Sequence, residues 1–273
     1  MDISQALALA AAMLATGLAG GVIAGMLGVG GGIVVVPILD LALGFLGVDP
    51  AIRMQVAVAT SLATIIPTSI SSSRAHRAKG AVDGDLVRRW GVAIFLGAIA
   101  GTLIASHVHS IVLSGVFAVV AFIVAAKMLL PLDHVTLADG VPHGLAAQPL
   151  PFAVGTTSSM MGIGGGTLSV PILTLMNYPI HRAVGTAALF GLLISIPGTI
   201  GYILGGWGDP RLPMASLGYV NVIGFLLIAP MTWISAPWGA ALAHRLSKRQ
   251  LGVAFGIFLL IVAIRMAWRV ITS

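Results

Sequence analysis

Two glycine clusters, GMLGVGGGIVVVPIL at residues 25–39 and SMMGIGGGTLSVPIL at residues 159–173, hold the groups in this chain best suited to binding chemistry. Three consecutive glycines, Gly30, Gly31 and Gly32 in one copy and Gly164, Gly165 and Gly166 in the other, destabilise a helix by roughly 3 kcal/mol. A helix broken in apolar surroundings exposes N–H groups that must find protein partners or a ligand in a wet cavity. Where helix resumes, at Ile33 and Thr167, free N–H donors and about half a positive charge collect at one point. Such an end binds an anion without any basic side chain. A phosphate-binding P-loop would need a lysine followed by Ser or Thr, and neither copy contains a lysine. The third glycine of a dinucleotide fingerprint would fall at Ile33 or Thr167. Other glycines have a plainer use: Gly17, Gly21 and Gly25, and Gly97 with Gly101, stand at the four-residue spacing that lets membrane helices pack closely.

The elements that carry these clusters are membrane helices. Of 273 residues, 58% are hydrophobic and 8% charged, about a third of the charge a soluble domain carries. The charges lie in short groups between long apolar runs, the pattern of a multi-pass membrane protein. Basic loops that orient such a chain explain the net charge of +6 better than nucleic-acid binding does. With no cysteine, disulfides, thiolate metal sites and thiol catalysis are excluded. None of the eight acids is glutamate, and no nucleophile with a base is in evidence, so the chain does not read as an enzyme. His107 and His109 lack a third partner for a metal. The sequence implies no cofactor.

Several apolar runs reach the roughly 20 residues that span a bilayer, whereas 33–46, 150–163 and 167–176 fall short and flank the glycine clusters. Short, interrupted segments at matching places in two halves mark a transporter's binding site. The repeat extends further: VAVATS at 56–61 pairs with RAVGTA at 182–187, KGAVD at 79–83 with GGWGD at 205–209, and GVFAVVAFIVAAKM at 115–128 with GVAFGIFLLIVAIRM at 252–266. The halves are 1–130 and 150–273, joined by a polar linker at 131–149. Loop 72–89 carries five Lys or Arg and its counterpart 205–218 only Arg211, while 106–110 carries none and its counterpart 243–250 carries three. The basic loop has changed sides, so the expected fold is all-α and polytopic, with two inverted repeats of about five helical segments each. Loops 72–89, 131–149, 177–182 and 243–250 are expected inside and both termini outside. Arg53, Arg211, Arg265 and Arg269 are exceptions to that pattern.

Pro37 and Pro171 each follow the last glycine of a cluster by five residues, where they kink a short helix and free a carbonyl. Asp40 is the acid placed deepest in an apolar run, a candidate for proton or cation coupling whose repeat counterpart is Thr174. Arg53 and Arg182 follow Pro50 and Pro179 by three residues at the starts of matching helices, placed to draw anions to opposite mouths or to anchor at the interface.

The paired clusters, with the following AVATS and AVGTA, resemble the signature of the TauE/SafE family of membrane permeases over nearly the whole chain. The resemblance implies transport of a small anion, a sulfur oxyanion or organosulfonate of the sulfite or sulfoacetate type, across the bacterial cytoplasmic membrane. It also implies a cradle of Gly28, Gly30, Gly31 and Gly32 from one half and Gly162, Gly164, Gly165 and Gly166 from the other. The hydroxyls of Thr60, Ser61, Thr167, Ser169 and Thr186 lie beside that pattern and can donate to sulfonate oxygens or bond back to their own helices. The expected partners are the anion, the lipid bilayer, a coupling proton or sodium ion, and a second copy in a homodimer. Alternating access is the expected mechanism, with an anion-selective channel using the same donors as the alternative.

Overall fold

The computed structural model describes residues 3–28, 30–130, 138, 140–142, 144–243 and 245–272. Residues 131–137, 139 and 143 of the expected linker lie outside that set. Among the described residues there are ten α-helices: α1 (Ile3–Leu27), α2 (Gly32–Phe45), α3 (Pro50–Arg77), α4 (Gly84–His107), α5 (Ser110–Leu129), α6 (Pro149–Met161), α7 (Gly166–Leu175), α8 (Ile180–Gly205), α9 (Val222–Ala243) and α10 (Lys248–Thr272). A two-residue hairpin, β1 (Ser216–Leu217) with β2 (Val220–Asn221), precedes α9. The fold is therefore all-α and polytopic, with six helices long and apolar enough to cross a membrane: most of α1, and α3, α4, α5, α8 and α9.

Local sequence explains where the helices start. Asp49 accepts the Ala51 N–H at 2.8 Å with Pro50 at the first helical position of α3, and Asp83 accepts the N–H groups of Asp85 and Leu86 to open α4. The side chain of Asn221 accepts the Gly224 N–H at 2.8 Å to open α9. Each side chain takes up an N–H that the first turn leaves without an intrahelical acceptor.

Polarity is arranged inside out. Val92, Leu103, Phe122, Ile123, Leu226 and Ile261 point outward on α4, α5, α9 and α10, while Thr60, Ser61, Thr64, Thr68, Ser69 and Ser72 of α3 are buried. Thr60, Thr64 and Thr68 bond back to the carbonyls of Val56, Ser61 and Thr64, which satisfies hydroxyls where no water competes.

The halves are interwoven rather than side by side. At the centre α3 and α8 cross in opposite directions: Gly191 lies against Ile65 and Ser69, and Gly198, further along α8, against Leu62. On one flank α1 runs parallel to α9, with Gly17 against Ile228 and Met231, Gly21 against Thr232 and Ser235, and Gly25 against Ala236 and Ala240. On the other flank α6 runs parallel to α4, with Phe152 against Gly97 and Thr156 against Gly101. Helix 1 of each half thus packs on helix 4 of the other. The glycine spacing read from the sequence serves these two seams, where the missing side chains let backbones meet.

A Cβ added to Gly25 would stand 1.8 Å from the Ala236 carbonyl oxygen, whereas one on Gly115 meets nothing within 4 Å. Gly25→Ala is expected to destabilise the detergent-solubilised protein by about 3 kcal/mol or more, and Gly115→Ala to leave it unchanged or slightly more stable. Thermal unfolding followed by size-exclusion chromatography checks both.

Candidate functional site

The two glycine clusters meet. A Cβ on Gly32 would stand 2.1 Å from the Gly162 carbonyl oxygen and 2.9 Å from the Ser61 hydroxyl, and one on Gly30 would stand 3.3 Å from the Gly164 Cα. Ser61 donates to the Gly162 carbonyl at 2.7 Å, so a side chain of the first half holds the broken backbone of the second. Gly28 lies against the Val184 carbonyl, and Gly165 against Phe190, which stacks on Trp90. All eight cradle glycines are buried.

The breaks differ in construction. In the first copy Gly28, Gly30 and Gly31 adopt φ of 67°, 71° and 77°, left-handed values that a side chain resists. In the second only Gly162 does (φ 67°), and Gly165 is already helical at φ −57°. Gly165 is therefore needed for space rather than for backbone freedom: a Cβ there would come within 2.4 Å of Phe190.

Both short helices begin at this contact. α2 starts at Gly32 and α7 at Gly166, and neither N-terminus has a side-chain cap. The intrahelical ladders begin with the N–H of Val34 on Gly31 and of Ser169 on Gly165, so the preceding N–H groups point toward the centre. Beside them the hydroxyls of Thr167, Ser169 and Ser158 are buried without a hydrogen-bond partner. Positive helix ends next to unspent hydroxyl donors suit an anion with several oxygen acceptors.

The other hydroxyls singled out from the sequence are spoken for. The Thr60 hydroxyl donates to Val56 and accepts the Asn221 N–H at 2.9 Å, and the Thr186 hydroxyl accepts the Asp83 N–H at 2.9 Å. These are equivalent ties, each joining a central helix of one half to the helix start of the other. They also change the repeat register: the counterpart of KGAVD is LGYVN at 217–221, with Asn221 rather than Asp209 standing where Asp83 stands. Composition suggested GGWGD, and helix-capping chemistry decides for Asn221.

The charged candidates form pairs at the ends of the helices. Arg53 Nε lies 3.2 Å from buried Asp40, and Arg182 lies 3.1 Å from Asp83 and over the Tyr178 ring. Tyr178 also donates to Asp83. Burial raises the Asp83 pKa, but the bonds from Tyr178, Leu86 and Asp85 and the Arg182 charge outweigh it and hold the carboxyl below the usual range. Pro37 and Pro171 lie inside α2 and α7.

Comparison with known proteins bears on the same span. The family model for sulfite exporter TauE/SafE matches residues 13–266. The chain belongs to the TauE/SafE family. A relative in Haemophilus influenzae, named "Probable membrane transporter protein", is 34% identical, covering 93% of this chain and 96% of its own length. The TauE/SafE relatives YunE of Bacillus subtilis and MJ0441 of Methanocaldococcus jannaschii, with names of the same form, are each 26% identical over 96% and 91% of this chain and 98% and 94% of their own. No solved structure matches. This TauE/SafE chain is thus a multi-pass membrane transporter rather than an enzyme.

Because a methyl group has no room at Gly32 and Gly84 faces open space, Gly32→Ala is expected to cut transport at least about tenfold, with Gly84→Ala as the unaffected control. Uptake or efflux per correctly inserted molecule in proteoliposomes is the measure.

Proposed function

We propose that the protein carries a small anion, a sulfur oxyanion or organosulfonate of the sulfite or sulfoacetate type, across the bacterial cytoplasmic membrane by alternating access. The observation that carries this reading is the meeting of two uncapped helix N-termini, at Gly32 and Gly166, beside the unpartnered hydroxyls of Thr167 and Ser169. The family's description as sulfite exporter supports the substrate class. A sulfonate or sulfite presents three oxygens to the N–H and O–H donors that the glycine cradle supplies.

In the present conformation the clusters touch, so the anion is admitted only when they part. The crossing of α3 and α8 in opposite directions supports an inverted repeat, with equivalent elements of the two halves facing opposite sides. The Asp40–Arg53 and Asp83–Arg182 pairs serve as gates at the two mouths, and α2 and α7 flex about Pro37 and Pro171. An inside-negative potential favours anion export by about 2.3 kcal/mol per charge per 100 mV, so export runs uncoupled. Uptake would require a proton or sodium ion, for which Asp40, buried beside Arg53, is the candidate carboxylate.

Counterflow in proteoliposomes against sulfite, sulfoacetate, sulfate, acetate and chloride tests the function: saturable, trans-stimulated exchange of one sulfur anion is expected. Conductance without saturation would replace the carrier with a channel. Tags in loops 72–89 and 205–218 are expected on opposite sides of the membrane, with 72–89 and neither terminus in the cytoplasm. Both loops on one side would refute the inversion.

A further inference from the structure

Two cations inside the helical bundle are used by none of the features above. Lys127, in the last turn of α5, and Arg265, in α10, occupy the same place in the repeat, in AAKM at 125–128 and AIRM at 263–266. Lys127 Nζ donates to the Pro171 carbonyl at 3.1 Å and to the Thr174 hydroxyl at 2.5 Å. Arg265 Nη1 donates to the Pro37 carbonyl at 3.0 Å. Pro37 and Pro171 are themselves equivalent, and both contacts cross between the halves: α5 of the first half grips α7 of the second, and α10 of the second grips α2 of the first.

Topogenesis does not explain this pair. A cation in an apolar helix is costly, and Arg265 runs against the basic-inside pattern that Lys127 would satisfy. What both contacts share is a short helix that begins at the anion site. With 14 and 10 residues, α2 and α7 extend about 21 and 15 Å at 1.5 Å per residue, too short to span the bilayer and be fixed in depth by both interfaces. Lys127 reaches Thr174 in the last turn of α7 and complements the negative end of its dipole, while Arg265 holds α2 by its mid-helix Pro37 carbonyl; both leave the positive helix end at the centre.

We propose that Lys127 and Arg265 are positioning residues for the anion site, each clamping the half-helix supplied by the opposite half so that its N-terminal N–H groups stand at the proper depth. Neither touches the anion; both act through α2 and α7. The units that move during transport then mix the two sequence halves, α7 travelling with α5 and α2 with α10. The inference rests on the anion-carrier reading above.

The test is concentration-dependent counterflow of radiolabelled sulfite, with sulfoacetate as a second arm, by the wild type and by Lys127→Met, Lys127→Arg, Arg265→Met, Arg265→Lys and Thr174→Val. A misplaced donor set weakens binding without altering the later steps, so each Met variant is expected to raise KM about tenfold while maximal exchange stays within about twofold. The Arg and Lys swaps restore KM to within about threefold of wild type. A general structural role would instead lower maximal exchange and leave KM alone, and that result, or unchanged kinetics, overturns the proposal. If the Met variants fail to give monodisperse protein, Thr174→Val decides, since it keeps the cation and removes one acceptor: a raised KM upholds the clamp and an unchanged KM refutes it. Absence of saturable exchange of either anion by the wild type overturns the carrier function itself, and this inference with it.

Discussion

Backbone N–H and C=O groups released by a broken helix cannot stay unpaired in an apolar interior, where each costs several kcal/mol. Both breaks in this chain are therefore buried at one contact and served by neighbours. The Gly162 carbonyl takes the Ser61 hydroxyl from across the repeat. The left-handed turns at Gly28, Gly30 and Gly31 bring the chain back so that α2 starts against the second cluster. What stays uncapped is the pair of N-termini, and these with the unpartnered hydroxyls of Thr167, Ser169 and Ser158 are the polar chemistry the centre offers.

Holding two such breaks together requires the rest of the bundle to be rigid, and apolar burial supplies little of that rigidity within a lipid solvent. Close backbone packing does the work instead. The α1–α9 and α4–α6 seams bring glycines of one helix onto carbonyls of the next, and the central helices are tied by hydroxyls to helix starts in the opposite half. Every one of these connections crosses between the repeats. Residues 1–130 and 150–273 are consequently interlocked, with the two glycine clusters in contact between them.

Charge is confined by the same logic. The carboxylate of Asp40 faces Arg53 on the next helix and that of Asp83 faces Arg182 on the distant α8, and Asp83 gains a helix N-terminus and a tyrosine besides. Lys127 and Arg265 donate to the carbonyls of the intrahelical prolines Pro171 and Pro37, and Lys127 to the Thr174 hydroxyl as well. Ionised groups survive in this environment only with partners of this quality.

Composition, hydropathy runs and the doubled glycine signature by themselves determined that the chain is a helical membrane protein and that its helices break at the triple glycines 30–32 and 164–166. Those properties are local: they depend on how many apolar residues follow one another and on what glycine does to a single turn. The tertiary structure alone decided the pairings. Thr60, Ser61 and Thr186 look alike beside the clusters, yet Ser61 bonds the break while Thr60 is engaged by an N–H 161 residues away. Arg265 looks like a misplaced loop charge until α10 is laid against Pro37. LGYVN and GGWGD each share two residues with KGAVD, and only the bonds of Asn221 to the Gly224 N–H and the Thr60 hydroxyl single out LGYVN. Hydrogen bonds between segments that far apart leave no period in the sequence, because which donor reaches which acceptor is settled by how the two halves interlock.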